Sequence, residues 1–341
     1  MTNGPTRKSQ HLEIVLGEDV SAQSTPTGFE QVRFEHVALP ELALPDIDLS
    51  TTFLNRRLAA PLLISSMTGG PEQADGINRA IAESAQHLKI AFGIGSQRVA
   101  LDGEATAGLG RHLRDLAPDV PILANFGAAQ LAAWNGPDMA RRAMDMVGAD
   151  ALIIHLNPLQ EAVQPEGDRD WRGLLAKIEA LQRALPAPII VKEVGAGISG
   201  RLARQLWDIG IRIIDVAGTG GTSWAAVEAR RAPNAHARAV AEAFRDWGIP
   251  TARALQDVRA ACPSATVIAS GGIRDGLDAA KAVRLGADLT GMAAGVLAAA
   301  LDGTEALNAQ MSLVIEQLRI ACFCTGSSDL AALRRAPLLS S

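Results

Sequence analysis

The chain has 341 residues, 48% of them hydrophobic and 20% charged, with 32 Lys plus Arg against 37 Asp plus Glu and a formal net charge of −5. That length rules out one small core and suits either two domains or one large α/β barrel. The weak acidic balance and the absence of tyrosine argue against a broad nucleic-acid or membrane surface, so an anionic ligand must be met by a local basic cluster.

Three cysteines imply no disulfide framework. Cys322 and Cys324 have no second Cys/His pair of matching spacing nearby, so they are expected to be packing residues near the last helix. The first residues, MTNGPTRKSQHLEIVL, lack a continuous apolar core, and no apolar run approaches the ~18 residues of a membrane span. A cytoplasmic protein is expected.

In chain order, residues 1–60 are Pro-rich and are expected to form an irregular arm packing on and over the domain that follows, with VRFEHVAL as a candidate strand. From residue 61 onward a rhythm sets in. Short apolar runs ending in Gly, Ser or Asn lie at 61–67, 90–96, 121–127, 151–157, 188–195, 211–218, 266–272 and 287–293. Amphipathic helical stretches such as GINRAIAESAQHLK, RGLLAKIEALQRAL and GLDAAKAVRLGA separate them. Continuous apolar strands alternating with helices read as parallel strands covered by helices. Eight such units favour a (β/α)8 TIM barrel over 61–341 rather than a doubly wound sheet. The stretch 217–250 is long for one connection and is expected to extend over the barrel mouth; the tail from about 296 reads as closing helices.

In such a barrel the site lies at the C-terminal strand ends, and the unusual residues cluster there. SGGIRDG (270–276) and MAAG (292–295) follow the last two strands, where small residues let backbone N–H groups meet a phosphate at a helix N-terminus. Tight turns also need such glycines. Lys192 stands in an apolar strand, where a charge must be met. Pairing with Glu193 is geometrically poor because strand neighbours face opposite ways; Lys192 could instead stabilise negative charge on a cofactor such as the N1–C2=O edge of a reduced flavin. Asn125 and Thr68 add hydrogen-bonding groups. Ser96 and Arg98 suit an anion, although an arginine is often merely solvated. Arg7, Lys8 and His11 form a basic terminal cluster, either a solubilising tail or part of a site for a second phosphate-bearing molecule. HLNPLQE (155–161) sets an imidazole, two amides and a carboxylate at one strand end.

Together RKSQH, SMTGG, GSQR, HLNPLQE, KEVGAGIS, DVAGTGGTSW, SGGIRDG and the late CTG resemble the type 2 isopentenyl-diphosphate isomerases, flavin-dependent barrel enzymes, over nearly the whole chain. HLNPLQE is the most specific of these motifs; SGGIRDG is shared with flavin oxidases of 2-hydroxy acids. The resemblance implies FMN contacts from Ser66, Met67, Thr68, Ser96, Asn125, Lys192 and Thr222. Gly271, Gly272, Ile273, Arg274, Ala293 and Ala294 would surround its phosphate. Substrate would meet Arg7, Lys8, His11, Ser96, Gln97, Arg98, His155, Asn157 and Gln160, and Glu161 would hold Mg²⁺ against the diphosphate. Gln160 and Glu228 would act in proton transfer, unless Glu228 is only a solvated helix residue. The resemblance further implies reduced FMN as the active form, NAD(P)H as reductant and a homo-oligomer, tetramer or octamer. MAAGVL departs from the bulkier residue expected after the eighth strand.

A diphosphate carries about three negative charges, which a hard oxygen-preferring ion helps to bury. Moving a double bond between isopentenyl and dimethylallyl diphosphate, in isoprenoid biosynthesis, requires protonating an unactivated alkene, which an electron-rich flavin face would assist. The rivals are an FMN-dependent 2-hydroxy-acid oxidase, which needs a histidine base and arginines for a carboxylate, and a non-catalytic flavin-binding protein.

Overall fold

All eight apolar runs form strands, because each is buried on both faces and finds a parallel neighbour on either side. A computed structural model describes residues 4–67, 73–103 and 108–339, the side chains of residues 4–7 and 73 excepted. The arm contains helix α1 (Gly4–Gly17) and an antiparallel hairpin, β1 (Thr51–Phe53) and β2 (Arg56–Leu58). The barrel strands are β3 (Leu62–Ile64), β4 (Ala91–Gly93), β5 (Ile122–Gly127), β6 (Ala151–Leu156), β7 (Ile189–Glu193), β8 (Ile213–Asp215), β9 (Thr266–Ser270) and β10 (Leu289–Met292). They close in sequence order, β10 pairing with β3.

Helices α2 (Gln73–Leu88), α3 (Arg98–Leu101), α4 (His112–Leu116), α5 (Gly136–Val147), α6 (Pro158–Val163), α7 (Leu174–Ala184) and α8 (Gly200–Asp208) connect the first six strands. After β8 come α9 (Trp224–Arg231), α10 (Ala235–Glu242) and α11 (Thr251–Ala261), the first two forming the expected extension. Helix α12 (Gly276–Arg284) precedes β10, and α13 (Ala294–Asp302), α14 (Thr304–Cys324) and α15 (Leu330–Leu333) close the chain. Several helices start on a side-chain cap. Ser199, Ser223, Asn234 and Asp275 accept hydrogen bonds from N–H groups three residues on, satisfying donors that a helix start leaves open.

Two expectations for the arm need correction. Residues 4–17 are helical, not irregular. VRFEHVAL is no strand: among the described residues it makes a single bridge, Phe34 to Leu338, with Glu35 N–H donating to Pro337 O and Leu339 N–H to Arg33 O, and Val37 N–H donating to Cys324 O. Its partners come from two different places, residues 337–339 and Cys324 at the end of α14, so no ladder forms.

Side-chain alternation along the strands positions the site. Leu63, Leu123, Ile153, Ile190, Ile213 and Ile268 point inward and join Phe53 and Leu58 of the hairpin in one apolar cluster. The hairpin thus plugs the N-terminal end of the barrel. Two residues further along those strands, on the same face, stand Ser65, Asn125, His155, Lys192, Asp215 and Ser270. One pleat therefore changes the interior from hydrocarbon to a polar layer.

Candidate active site

Above that polar layer, at the C-terminal strand ends, opens a cavity of about 680 Å³. Its floor includes Ser65, Asn125, His155, Lys192 and Ser270, and its roof includes Lys8, His11, Leu12 and Val15 of α1. The roof is latched. His11 Nε2 lies 2.9 Å from Glu228 Oε1, Arg231 Nε donates to Gln10 Oε1 at 3.1 Å, and Arg230 Nε reaches Glu18 Oε2 at 2.6 Å. Arg245 donates to the carbonyls of Asp19 and Ser21. The basic residues of α9 and its surroundings thus hold the arm by its polar and acidic groups.

On the floor, Lys192 pairs with Asp215 on the next strand, Nζ to Oδ2 3.2 Å, and donates to Ser270 Oγ at 3.2 Å. The two residues are register partners. Glu193 faces away, as its strand position requires, and accepts from the N–H groups of Val194, Gly195, Ala196 and Gly197. Burial pushes its pKa up against the pull of those donors. Asp215 escaped the sequence reading; the signal was a carboxylate ending the apolar run IRIID.

His155 Nδ1 sits 2.8 Å from Asn125 Oδ1. Burial, helped by the Lys192 and Lys8 charges, lowers its pKa from 6.5 to about 3, so the ring is neutral near pH 7. Asn157 Nδ2 donates to Gln160 Oε1 and to Glu161 Oε1, at 3.1 and 3.0 Å. Glu161 is 6% exposed and its Oε2 accepts from Gln164 Nε2 and from the Asp168 N–H. Asn157 Oδ1 is buried without a hydrogen-bond partner, leaving an oxygen donor beside the Glu161 carboxylate. Among the described residues no group of three His, Cys, Asp or Glu gathers as a metal site.

Behind Gln160 lies Glu228, 1% exposed. Its Oε1 accepts from Gln160 Nε2 at 3.1 Å and its Oε2 from Arg231 Nη1 at 2.6 Å. Burial alone would raise its pKa, but the His11 and Gln160 hydrogen bonds and the His11 and Arg231 charges outweigh it and the net shift is downward. The solvated-glutamate alternative is therefore excluded.

At the opposite wall, Gly271 (φ 98°) and Gly272 (φ 72°) take left-handed backbone, and a Cβ on either would strike the backbone of Gly218 or Gly220. Ile273, Arg274, Ala293 and Ala294 line the same wall. Helix α13 starts there without a side-chain cap, so its first N–H groups are available to an anion. This cradle fits one phosphate.

Of the expected site residues, Ser66, Met67, Ser96, Arg98 and Thr222 also line the cavity. Gln97 does not. It is fully buried, with Nε2 donating to Ala143 O and Oε1 accepting from the Asn125 N–H, so it braces the wall instead of meeting a ligand. Thr68 and the Arg7 side chain lie outside the described residues. Gln130 and Gln164 line the cavity and escaped the sequence reading; an isolated amide after a strand end was the only signal.

The family model for FMN-dependent dehydrogenases matches residues 107–340. The chain is 62% identical to the isopentenyl-diphosphate delta-isomerase of Stutzerimonas stutzeri (strain A1501), over 98% of this chain and 96% of the relative. It is 60% identical to that of Pseudescherichia vulneris, over 97% and 96%. The chain belongs to the isopentenyl-diphosphate delta-isomerase family. It is thereby an isomerase, on a barrel of the FMN-dependent type. Among solved structures it is similar to mandelate oxidase with (S)-2-phenylpropionate, with a TM-score of 0.67 at 18% identity, over 97% of this chain and 93% of the other. That likeness concerns the fold alone.

Proposed function

We propose that the chain interconverts isopentenyl and dimethylallyl diphosphate by an allylic proton shift, using reduced FMN and Mg²⁺, with NAD(P)H as reductant. The observation that carries the reading is one cavity that combines a single-phosphate cradle and a floor lysine with the Gln160–Glu228–His11 chain in its wall. Bound reduced FMN would supply an electron-rich face, which favours positive charge at the branched carbon of the substrate. Gly271, Gly272 and the start of α13 would hold its phosphate, and Lys192 and Asn125 its polar ring edge. Glu161 and the open Asn157 oxygen, both hard donors, would hold Mg²⁺, which would offset the diphosphate charge.

Lys8 and Arg98 add positive charge for the diphosphate. Leu12 and Val15 offer apolar contact to the isoprenoid chain and keep water from a developing cation. Gln160 stands between the substrate and Glu228, so its amide can position the reacting carbon and relay a proton to or from the carboxylate. The downward-shifted Glu228 is a proton acceptor at neutral pH, with His11 as the neighbouring donor.

A 2-hydroxy-acid oxidase would use the floor histidine as its base, and burial with the Lys192 and Lys8 charges lowers the basicity of His155. Reduced holoprotein with isopentenyl diphosphate and Mg²⁺ should form dimethylallyl diphosphate. Oxygen uptake on 2-hydroxy acids without isomerisation would establish the oxidase instead, and bound flavin with no turnover would establish a binding protein.

A further inference from the structure

The geometry points to Asp215 as a positioning residue that holds Lys192 and offsets its charge beneath the flavin, so that this barrel restrains the build-up of negative charge at the flavin N1–C2=O edge. The inference rests on the FMN reading above and adds a role for a residue behind the floor. Three observations carry it. Asp215 is 1% exposed and its Oδ2 lies 3.2 Å from Lys192 Nζ. Its other oxygen, Oδ1, accepts from Ser270 Oγ at 2.5 Å, and Lys192 Nζ donates to the same hydroxyl, closing a three-membered ring across β7, β8 and β9. Lys192 and Ser270 line the cavity, whereas Asp215 lies beneath them.

This arrangement has an electrostatic consequence. A lone lysine under a flavin would favour every state that places negative charge on N1 and C2=O. A carboxylate in contact with that lysine makes the floor nearly neutral at a distance, while one N–H of the ammonium remains free to donate. An isomerase gains from that balance. It must keep a reduced, proton-bearing flavin through a cycle with no net electron transfer, and strong stabilisation of the anion would weaken the electron-rich face the cation needs.

Sulfite tests the floor charge directly. It adds to N5 of oxidised flavin through a new S–N bond, and the electron pair it brings resides at N1–C2=O. Wild-type and D215N holoprotein would be titrated with sulfite at fixed pH by the loss of flavin absorbance, and their midpoint potentials measured. In D215N sulfite should bind about tenfold or more tightly, because a buried charge near the flavin is removed, and the midpoint potential should move upward. Asp215→Glu, which keeps the charge, should stay within about threefold of wild type. Unchanged or weaker sulfite binding in FMN-loaded D215N overturns the proposal, as does a folded D215N that takes up no FMN. Should D215N fail to fold, Ser270→Ala carries the test: it keeps both charges but frees Lys192 to turn to Asp215, and should weaken sulfite binding; unchanged or tighter binding overturns the idea. Wild-type protein that takes up no FMN would instead sink the flavin reading itself, a separate result.

Discussion

His11 Nε2 lies 2.9 Å from Glu228 Oε1, which joins the N-terminal helix to the segment that extends over the barrel mouth. The same oxygen accepts from Gln160, so the arm, the roof and the cavity wall meet at one carboxylate. Glu228→Gln keeps the shape and removes the charge. It should lower kcat by about 10²–10⁴ while FMN and Mg²⁺ still bind, since a proton-transfer group acts in the transition state. Because Arg231 is left buried without its counter-ion, thermal stability should drop as well, by about 1–3 kcal/mol. Wild-type kcat in a folded E228Q protein would show that the proton comes from elsewhere.

Glu161→Gln removes the anionic oxygen beside the open Asn157 carbonyl while keeping its volume. The Mg²⁺ concentration for half-maximal activity should rise at least about tenfold, with FMN content unchanged. Magnesium titration of variant and wild type checks this; superimposable curves would place the ion elsewhere.

How far these features were legible in the sequence depended on how local their causes are. Strands such as ALIIHL and IIVKE are apolar on both faces, and only a covered parallel sheet tolerates that. The polar floor follows from the same alternation, one pleat beyond the apolar layer. Asp215 was hidden because its meaning lies in register with Lys192, a relation no local pattern carries. Helix α1 was missed for a similar reason. Among its described side chains only Leu12 is fully buried, so the amphipathic signal is weak, and contacts from α9 hold the helix in place. Gln97 misled because its position, beside Ser96 and Arg98, matches a binding motif whose middle residue turns into the wall.

Purified protein should be yellow and should release FMN on denaturation, as a cradle for one phosphate requires. Gly272→Ala tests the cradle. The left-handed backbone and the clash with Gly220 predict a loss of about 1–3 kcal/mol in stability and most of the bound FMN. Full FMN occupancy in the variant would move the phosphate away from residues 271–274.

Lys8 Nζ reaches the Ser96 carbonyl at 2.9 Å, which brings the arm's charge to the cavity edge. Lys8→Ala should raise KM about tenfold with little change in kcat, the signature of a contact made equally in ground and transition states. Loss of flavin in place of a KM effect would assign the arm to the cofactor.

His155 offers a test by pH. Half-buried at the cavity floor and near the Lys192 and Lys8 charges, it takes up a proton in the folded protein only near pH 3, whereas the unfolded chain does so near 6.5. Below 6.5 the unfolded state therefore binds more protons, and stability falls with falling pH until the folded pKa is reached. The contribution is complete above pH 6.5 and shrinks by up to about 1.4 kcal/mol per pH unit below it. That slope is an upper limit, since the ring edge borders the open cavity. Glu228, whose folded pKa is lowered below 4.5, loses its contribution only at more acid pH, so the interval from 6.5 to 4.5 separates the two. Apoprotein unfolded by urea across that interval should lose about 2 kcal/mol through this group, and His155→Asn should flatten the profile by that amount. Lys8→Ala should steepen nothing but shift the folded pKa upward, visible in the NMR titration of the His155 ring. Parallel wild-type and H155N profiles would mean that the imidazole stays solvated and titrates alike in both states, and the neutral floor histidine would have to be abandoned.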